Sequence, residues 1–137
     1  MNNPATELRA IIAAHGELAA GLVSAVDRIT GRGSALGILS NVGLGADQME
    51  ATMRERIERD GVRAIFTDLP SGSWTMAARR AMRGNDQVVL VTGVNLAALL
   101  EFVMRDDLDP ASGARSCVDR ARAAIGVVTG GGGARAT

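Results

Sequence analysis

The stretch IIAAHGELAAGL, residues 11–22, changes its period in the middle. Up to Ala14 it is part of a short apolar run, LRAIIAA (8–14), bounded by polar residues, which suits a buried strand. From Gly16 onward Leu18, Leu22, Val26 and Ile29 recur at helical spacing and predict an amphipathic helix with those four on one face. The only histidine of the chain, His15, stands at the seam. A strand that hands over to a helix through a glycine is the unit from which parallel α/β sheets are built.

The same unit recurs down the chain. ITGRG (29–33) ends the first helix on glycines, and ALGILS (35–40) predicts a second strand. Asp47 with Glu50 fits a capping box for the next helix. Met49, Met53 and Ile57 form its core stripe, and Glu50–Arg54 and Glu55–Arg59 are surface pairs at i,i+4. Gly61 closes it. VRAIFT (62–67) is a third strand, DLPSGS (68–73) a turn and WTMAARRAMR (74–83) a helix. QVVLVT (87–92) is a fourth strand broken by Gly93. Asn95 is a candidate N-cap for LAALLEFVMR (96–105). DDLDPASG then reads as a loop, ARSCVDRARAAIGVV (114–128) as the last helix and 129–137 as a flexible Gly-rich tail. The expectation is one α/β domain over residues 1–128: a three-layer sandwich with a central, mostly parallel four-stranded sheet and helices on both faces.

Composition narrows the chemistry. The chain has 137 residues, 47% of them apolar, and 15 basic residues balance 15 acidic ones. Neutrality gives no electrostatic reason to expect nucleic acid. Every basic residue is arginine, which removes a P-loop lysine, a Schiff base and a lysine general base. A single cysteine, Cys117, excludes an internal disulfide and a multi-cysteine zinc site, and Cys117 is expected to be buried rather than reactive. MNNPATELR shows no secretory pattern. The most apolar window, Val88–Leu100, holds Thr92, Gly93 and Asn95 and is too short to span a bilayer. A cytoplasmic protein with no membrane insertion, no metal and no cofactor is expected.

In open parallel sheets ligands bind beyond the carboxyl ends of the strands, near the point where strand order reverses. That rule selects HG after the first strand, DLPSGS after the third and TGVN after the fourth. A neutral imidazole can attack through one nitrogen while the other holds its proton, and a carboxylate on that N–H fixes the tautomer. Asp68 could supply it if the first and third strands are neighbours. The hydroxyls of Ser71 and Ser73 and the amides around Gly72, where the turn opens a helix, could cradle an anion. Together these parts describe a site that takes a phosphoryl group onto His15. Each residue also has a structural reading: a strand-end histidine, turn and cap residues at 68–73, a cap at Asn95, and a solvated helix face at Arg79, Arg80 and Arg83.

Three segments, IIAAHGELAAGLVSAVDRITG, AIFTDLPSGS and VVLVTGVNLAALLE, resemble in order and spacing the mannose-type enzyme IIA domain of the bacterial sugar phosphotransferase system, over roughly residues 8–128. The resemblance implies a homodimer and a phosphorylated His15. It implies that the phosphocarrier protein HPr is the donor, with a IIB-type acceptor or a regulatory partner downstream. Asp68 matches the carboxylate that orients the histidine, and Ser73 the hydroxyl on the phosphoryl group. The chain departs from the family pattern at Ser71, Trp74, Met76 and Ala97, changes expected to reshape the surface around the site. Some relatives exchange a late strand in the dimer, and GVVTG (126–130) is the only candidate here. Three other readings stay open: the related phosphocarrier of dihydroxyacetone kinase, a binding module without phosphorylation, and a Ser73–His15–Asp68 hydrolase.

Overall fold

The computed structural model describes residues 8–131. Its four strands, β1 (Ala10–Ala14), β2 (Leu36–Ser40), β3 (Ala64–Thr67) and β4 (Val89–Val91), form one sheet in the order β2-β1-β3-β4. Every pairing is parallel, so the sheet is wholly parallel. Between and after the strands run α1 (Leu18–Thr30), a short 3₁₀ turn (Gly33–Ala35), α2 (Ala46–Asp60), α3 (Ser73–Ala81), α4 (Leu96–Met104) and α5 (Pro110–Ala123).

The side chains of β1 alternate between two cores, as the pleat requires. Ala10, Ile12 and Ala14 face a cluster that includes Ala19, Val26, Leu99, Phe102 and Cys117 from α1, α4 and α5. Ile11 and Ala13 face a cluster built with Met49, Met53 and Ile57 of α2 and Trp74, Ala77 and Ala78 of α3. Both faces of the sheet are therefore covered, and the three-layer expectation holds. In the first core the Phe66 and Phe102 rings meet edge to face at 5.1 Å. Arg9 lies over Phe102 and donates to the carbonyls of Arg105 and Leu108, which ties down the α4–α5 connection.

Several boundaries differ from the sequence expectation. The buried stripe of α1 runs through Ala19 and Val26, with Leu22 and Val23 packed beside it, while Leu18 and Ile29 are 46% and 62% exposed. Those two lie on the flanks of a stripe centred one residue later. The capping box at Asp47–Glu50 does not form. The helix starts at Ala46, so Gln48 is the third helical residue and its Oε1 accepts the Gly45 N–H at 2.8 Å. Glu50 pairs with Arg54 instead, and the Glu55–Arg59 pair is also present.

The last helix begins at Pro110 rather than 114. Asp109 caps it by accepting the Ser112 N–H and hydroxyl, each at 3.0 Å, and Pro110 fills the first helical position, where no N–H is needed. It ends at Ala123 rather than 128, because Ile125, Val127 and Val128 are 79–82% exposed and have no core to face. GVVTG (126–130) is neither helix nor strand. Of the expected tail, residues 129–131 are exposed and the remainder lies outside the described residues.

Candidate active site

Strand order decides the site. The chain goes from β1 outward to β2, then returns past β1 to β3, so order reverses between β1 and β3. The residues immediately after these two strands are His15 and Asp68. Ala13 pairs with Thr67, so Asp68 sits one step short of His15, within side-chain reach. Its Oδ2 accepts both the His15 backbone N–H and the His15 ring Nδ1–H, each at 2.8 Å. Burial pushes the Asp68 carboxyl up, but these bonds from His15 outweigh it and hold the group below the ordinary carboxylate range. An ionised carboxylate only accepts, so Nδ1 carries the proton and the lone pair of the neutral ring lies on Nε2. The imidazole is 42% exposed and Asp68 9%: the base is open to a partner, while the acid behind it is not.

Gly72 brings a helix onto the ring. It is the N-cap of α3, and a Cβ there would stand 3.3 Å from His15 Cε1 and 3.2 Å from Leu69 Cβ. Only a residue without a side chain lets the first turn approach this closely. Gly72 has no side chain to cap α3, so the N–H groups of its first turn keep their hydrogen-bonding capacity beside the imidazole. Ser73 is the first residue of that helix and, like Ser71, is exposed. No hydrogen bond joins Ser73 to His15 among the described residues.

Two further sets of residues shape the site with little signal in the sequence. Thr75 donates its hydroxyl to the Leu69 carbonyl and therefore accepts that of Thr67, a buried relay that pins the 68–72 turn to β3 and α3. Ser40, the last residue of β2, and Asn41, the next, bond to both polar groups of Gly16. Position at the carboxyl end of a strand or in the next helical turn was the one signal available for them.

The segment after β4 does not join the site. Val94 donates its N–H to Thr67 O, and Asn95 caps α4 through Ala98 and turns its amide to Ala121 O, the structural reading. Trp74, expected to reshape the surface, is fully buried and belongs to the core under α3; Met76 is exposed, at 43%. Cys117 is buried and its thiol is pushed up to about 11 by desolvation, far from a reactive thiolate. No group of three or more His, Cys, Asp or Glu is placed to hold a metal among the described residues.

The family model EIIA-man, the PTS system fructose IIA component, matches residues 9–116. The chain belongs to this family. It is thus a phosphotransferase component of the mannose type, with a phosphotransfer role in a sugar phosphotransferase system. Among solved structures it is similar to the phosphotransferase system component EIIA of Streptococcus agalactiae, with a TM-score of 0.76 and 17% identity over 88% of this chain and 96% of that one. The mannose/sorbose-specific IIA subunit of Enterococcus faecalis gives 0.75 and 20% over 90% and 96%. The PTS IIA protein associated with the fucose utilization operon of Streptococcus pneumoniae gives 0.74 and 21% over 88% and 93%. At such identities these likenesses speak for the fold. No curated protein matches the chain. No helix among the described residues is long and apolar enough to cross a membrane.

Proposed function

We propose that this IIA component is a phosphohistidine carrier working in the cytoplasm. Nε2 of His15 takes a phosphoryl group from phospho-HPr and passes it to a IIB-type acceptor in sugar uptake or to a partner in a regulatory relay. The observation that carries this reading is the pair of 2.8 Å bonds from His15 to one oxygen of Asp68, with the first turn of α3 against the ring. The Nε2 lone pair attacks phosphorus in line. The new N–P bond forms as the donor's N–P bond breaks, and its electron pair returns to the donor imidazole. The His15 ring keeps its Nδ1 proton and gains positive charge, which the Asp68 carboxylate balances. The N–H groups that open α3 and the hydroxyls of Ser73 and Ser71 receive the phosphoryl oxygens, with Gly72 allowing the approach. No cofactor takes part. Catalysis here is positioning and preorganised charge.

The carrier is proposed to act as a homodimer. Two features support this: β4 is an edge strand with one strand neighbour among the described residues, and Ile125, Val127 and Val128 stand exposed after α5. Between β4 and α5 lies a cleft of about 520 Å³, lined by Val89, Val91, Val118 and Ile125 among others. Unpaired strand edges beside apolar chain are sites of association.

Incubation with labelled phosphoenolpyruvate, enzyme I and HPr tests the carrier role. An acid-labile phosphoryl group is expected on the native chain and none on His15→Ala. Label that survives His15→Ala overturns the assignment of the histidine. A native chain without label is a binding module, and labelling of Ser73 by a fluorophosphonate probe reopens the hydrolase reading.

A further inference from the structure

Sheet order gives β1 two neighbours, and the end of β3 supplies only part of what holds His15. Both bonds from Asp68 end on a single oxygen, Oδ2. One oxygen is a pivot: it fixes a distance but not the angle about that point, which the first turn of α3 against the ring limits on one side. The His15 carbonyl accepts the Leu18 N–H at 3.2 Å, and a further restraint on the following peptide comes from the β2 side. The Gly16 N–H donates to Asn41 Oδ1 at 3.1 Å, and the Ser40 hydroxyl donates to Gly16 O at 2.9 Å. Ser40 and Asn41 thus grip both polar groups of the residue that follows the histidine. Gly16 itself has φ +57, a conformation with little intrinsic preference over its alternatives for glycine.

The grip is itself anchored. Ser40 Oγ also accepts the Val42 N–H at 3.2 Å, which orients its proton toward Gly16. Ser40 is the last residue of β2 and pairs with Ala14. A turn closed by the Leu44 N–H on Asn41 O, at 3.0 Å, holds the Asn41 backbone.

We propose that Ser40 and Asn41 are positioning residues that act through Gly16 to set the direction of the His15 Nε2 lone pair. The kinetic part of this inference rests on the carrier reading; the geometric part does not. Transfer demands alignment of the attacking nitrogen, and small misplacements at such a centre are costly. Removing the grip is expected to slow the transfer step at saturating donor and to leave donor affinity alone.

The test uses Ser40→Ala, Asn41→Ala, the double variant and Ser40→Thr. The ring signals of His15 are followed by NMR and phosphoryl transfer from HPr is timed. Emission of Trp74, the only tryptophan, checks the fold. The double variant is expected to transfer about tenfold more slowly at saturating donor, with unchanged half-saturation. Its imidazole signals broaden or split, and Ser40→Thr, which keeps the hydroxyl, stays within about twofold of native. If the double variant does not fold, the single alanine variants carry the same comparison. Native-like ring signals and transfer in folded variants overturn the proposal, as does a slowing that appears only as weaker donor affinity. If the native chain takes no phosphate at all, the carrier reading fails, and the ring signals alone decide whether the grip orients the histidine.

Discussion

His15 and the β4 edge are opposite cases in one sheet. The end of β1 is held from both neighbouring strands: Asp68 takes its N–H and its ring, and Ser40 and Asn41 take the next residue. Around β4 the constraints run out. Its three residues are only partly buried, no strand among the described residues pairs with its outer side, and the apolar residues after α5 face solvent. The sequences of the two regions do not announce this contrast, since QVVLVT is as apolar as LRAIIAA. Position in the sheet makes the difference. A central strand gets its surroundings from its own chain, whereas an edge strand leaves backbone groups that a second chain can satisfy. The proposed catalytic site lies where the chain completes itself, and association is proposed where it does not.

That contrast can be broken at either end, and the largest effect belongs to the site. Asp68→Asn offers Nδ1 an amide in place of a charge and permits the wrong tautomer. Phosphoryl transfer to His15 is expected to slow by on the order of 100-fold, measured as the initial rate from phospho-HPr. A native-like rate would remove Asp68 from the mechanism. At the edge, Val127→Asp with Val128→Asp places charge where the dimer reading needs an apolar partner. Sedimentation is expected to show a dimer turning to monomer, with the dissociation constant raised at least ~10-fold, while labelling of the isolated subunit persists. A native chain that sediments as a monomer sinks this half of the comparison.

Gly72→Ala sharpens the picture at the site. The added Cβ meets His15 Cε1 and Leu69 Cβ at 3.2–3.3 Å, so ring and helix must part by a few tenths of an ångström. A loss of roughly 5–10-fold in transfer is expected, with little change in thermal stability. The smallest effect is on pH. The Asp68 pKa is lowered in the folded chain, so ionised Asp68 stabilises the fold above its unfolded value near 3.9. That contribution is lost as pH falls through the folded value. The difference in melting temperature between native protein and Asp68→Asn is accordingly expected to shrink below about pH 4; a constant difference would mean that the carboxylate's charge does not contribute.

Much of this was written in local pattern. The change of period at His15, the glycines after α1 and α2, the Met49–Met53–Ile57 stripe and the Asn95 cap are set by neighbours a few residues apart, and the sequence shows them directly. The strand-end rule then brought attention to His15 and to 68–73. It also drew in TGVN, which the fold turns toward α5 instead. It does not reach Ser40 and Asn41, because nothing in a serine and an asparagine at the end of a strand says which peptide they will bond. The start of α5 is hidden for a different reason: in DDLDPASG the Asp109 cap and the Pro110 start stand among polar residues that look like loop.

By itself, then, the sequence determined four alternations of strand and helix, a histidine at one strand end and a Gly-containing turn opening a helix. The tertiary structure alone decided that β3 rather than β4 lies beside β1, that Asp68 reaches His15 across 53 positions of chain, that Trp74 is buried in the core, and that β4 is left as an edge. The physical reason is range. Periodicity and capping are settled within a turn or two of backbone, whereas strand order is settled by how whole crossovers pack on the two faces of the sheet.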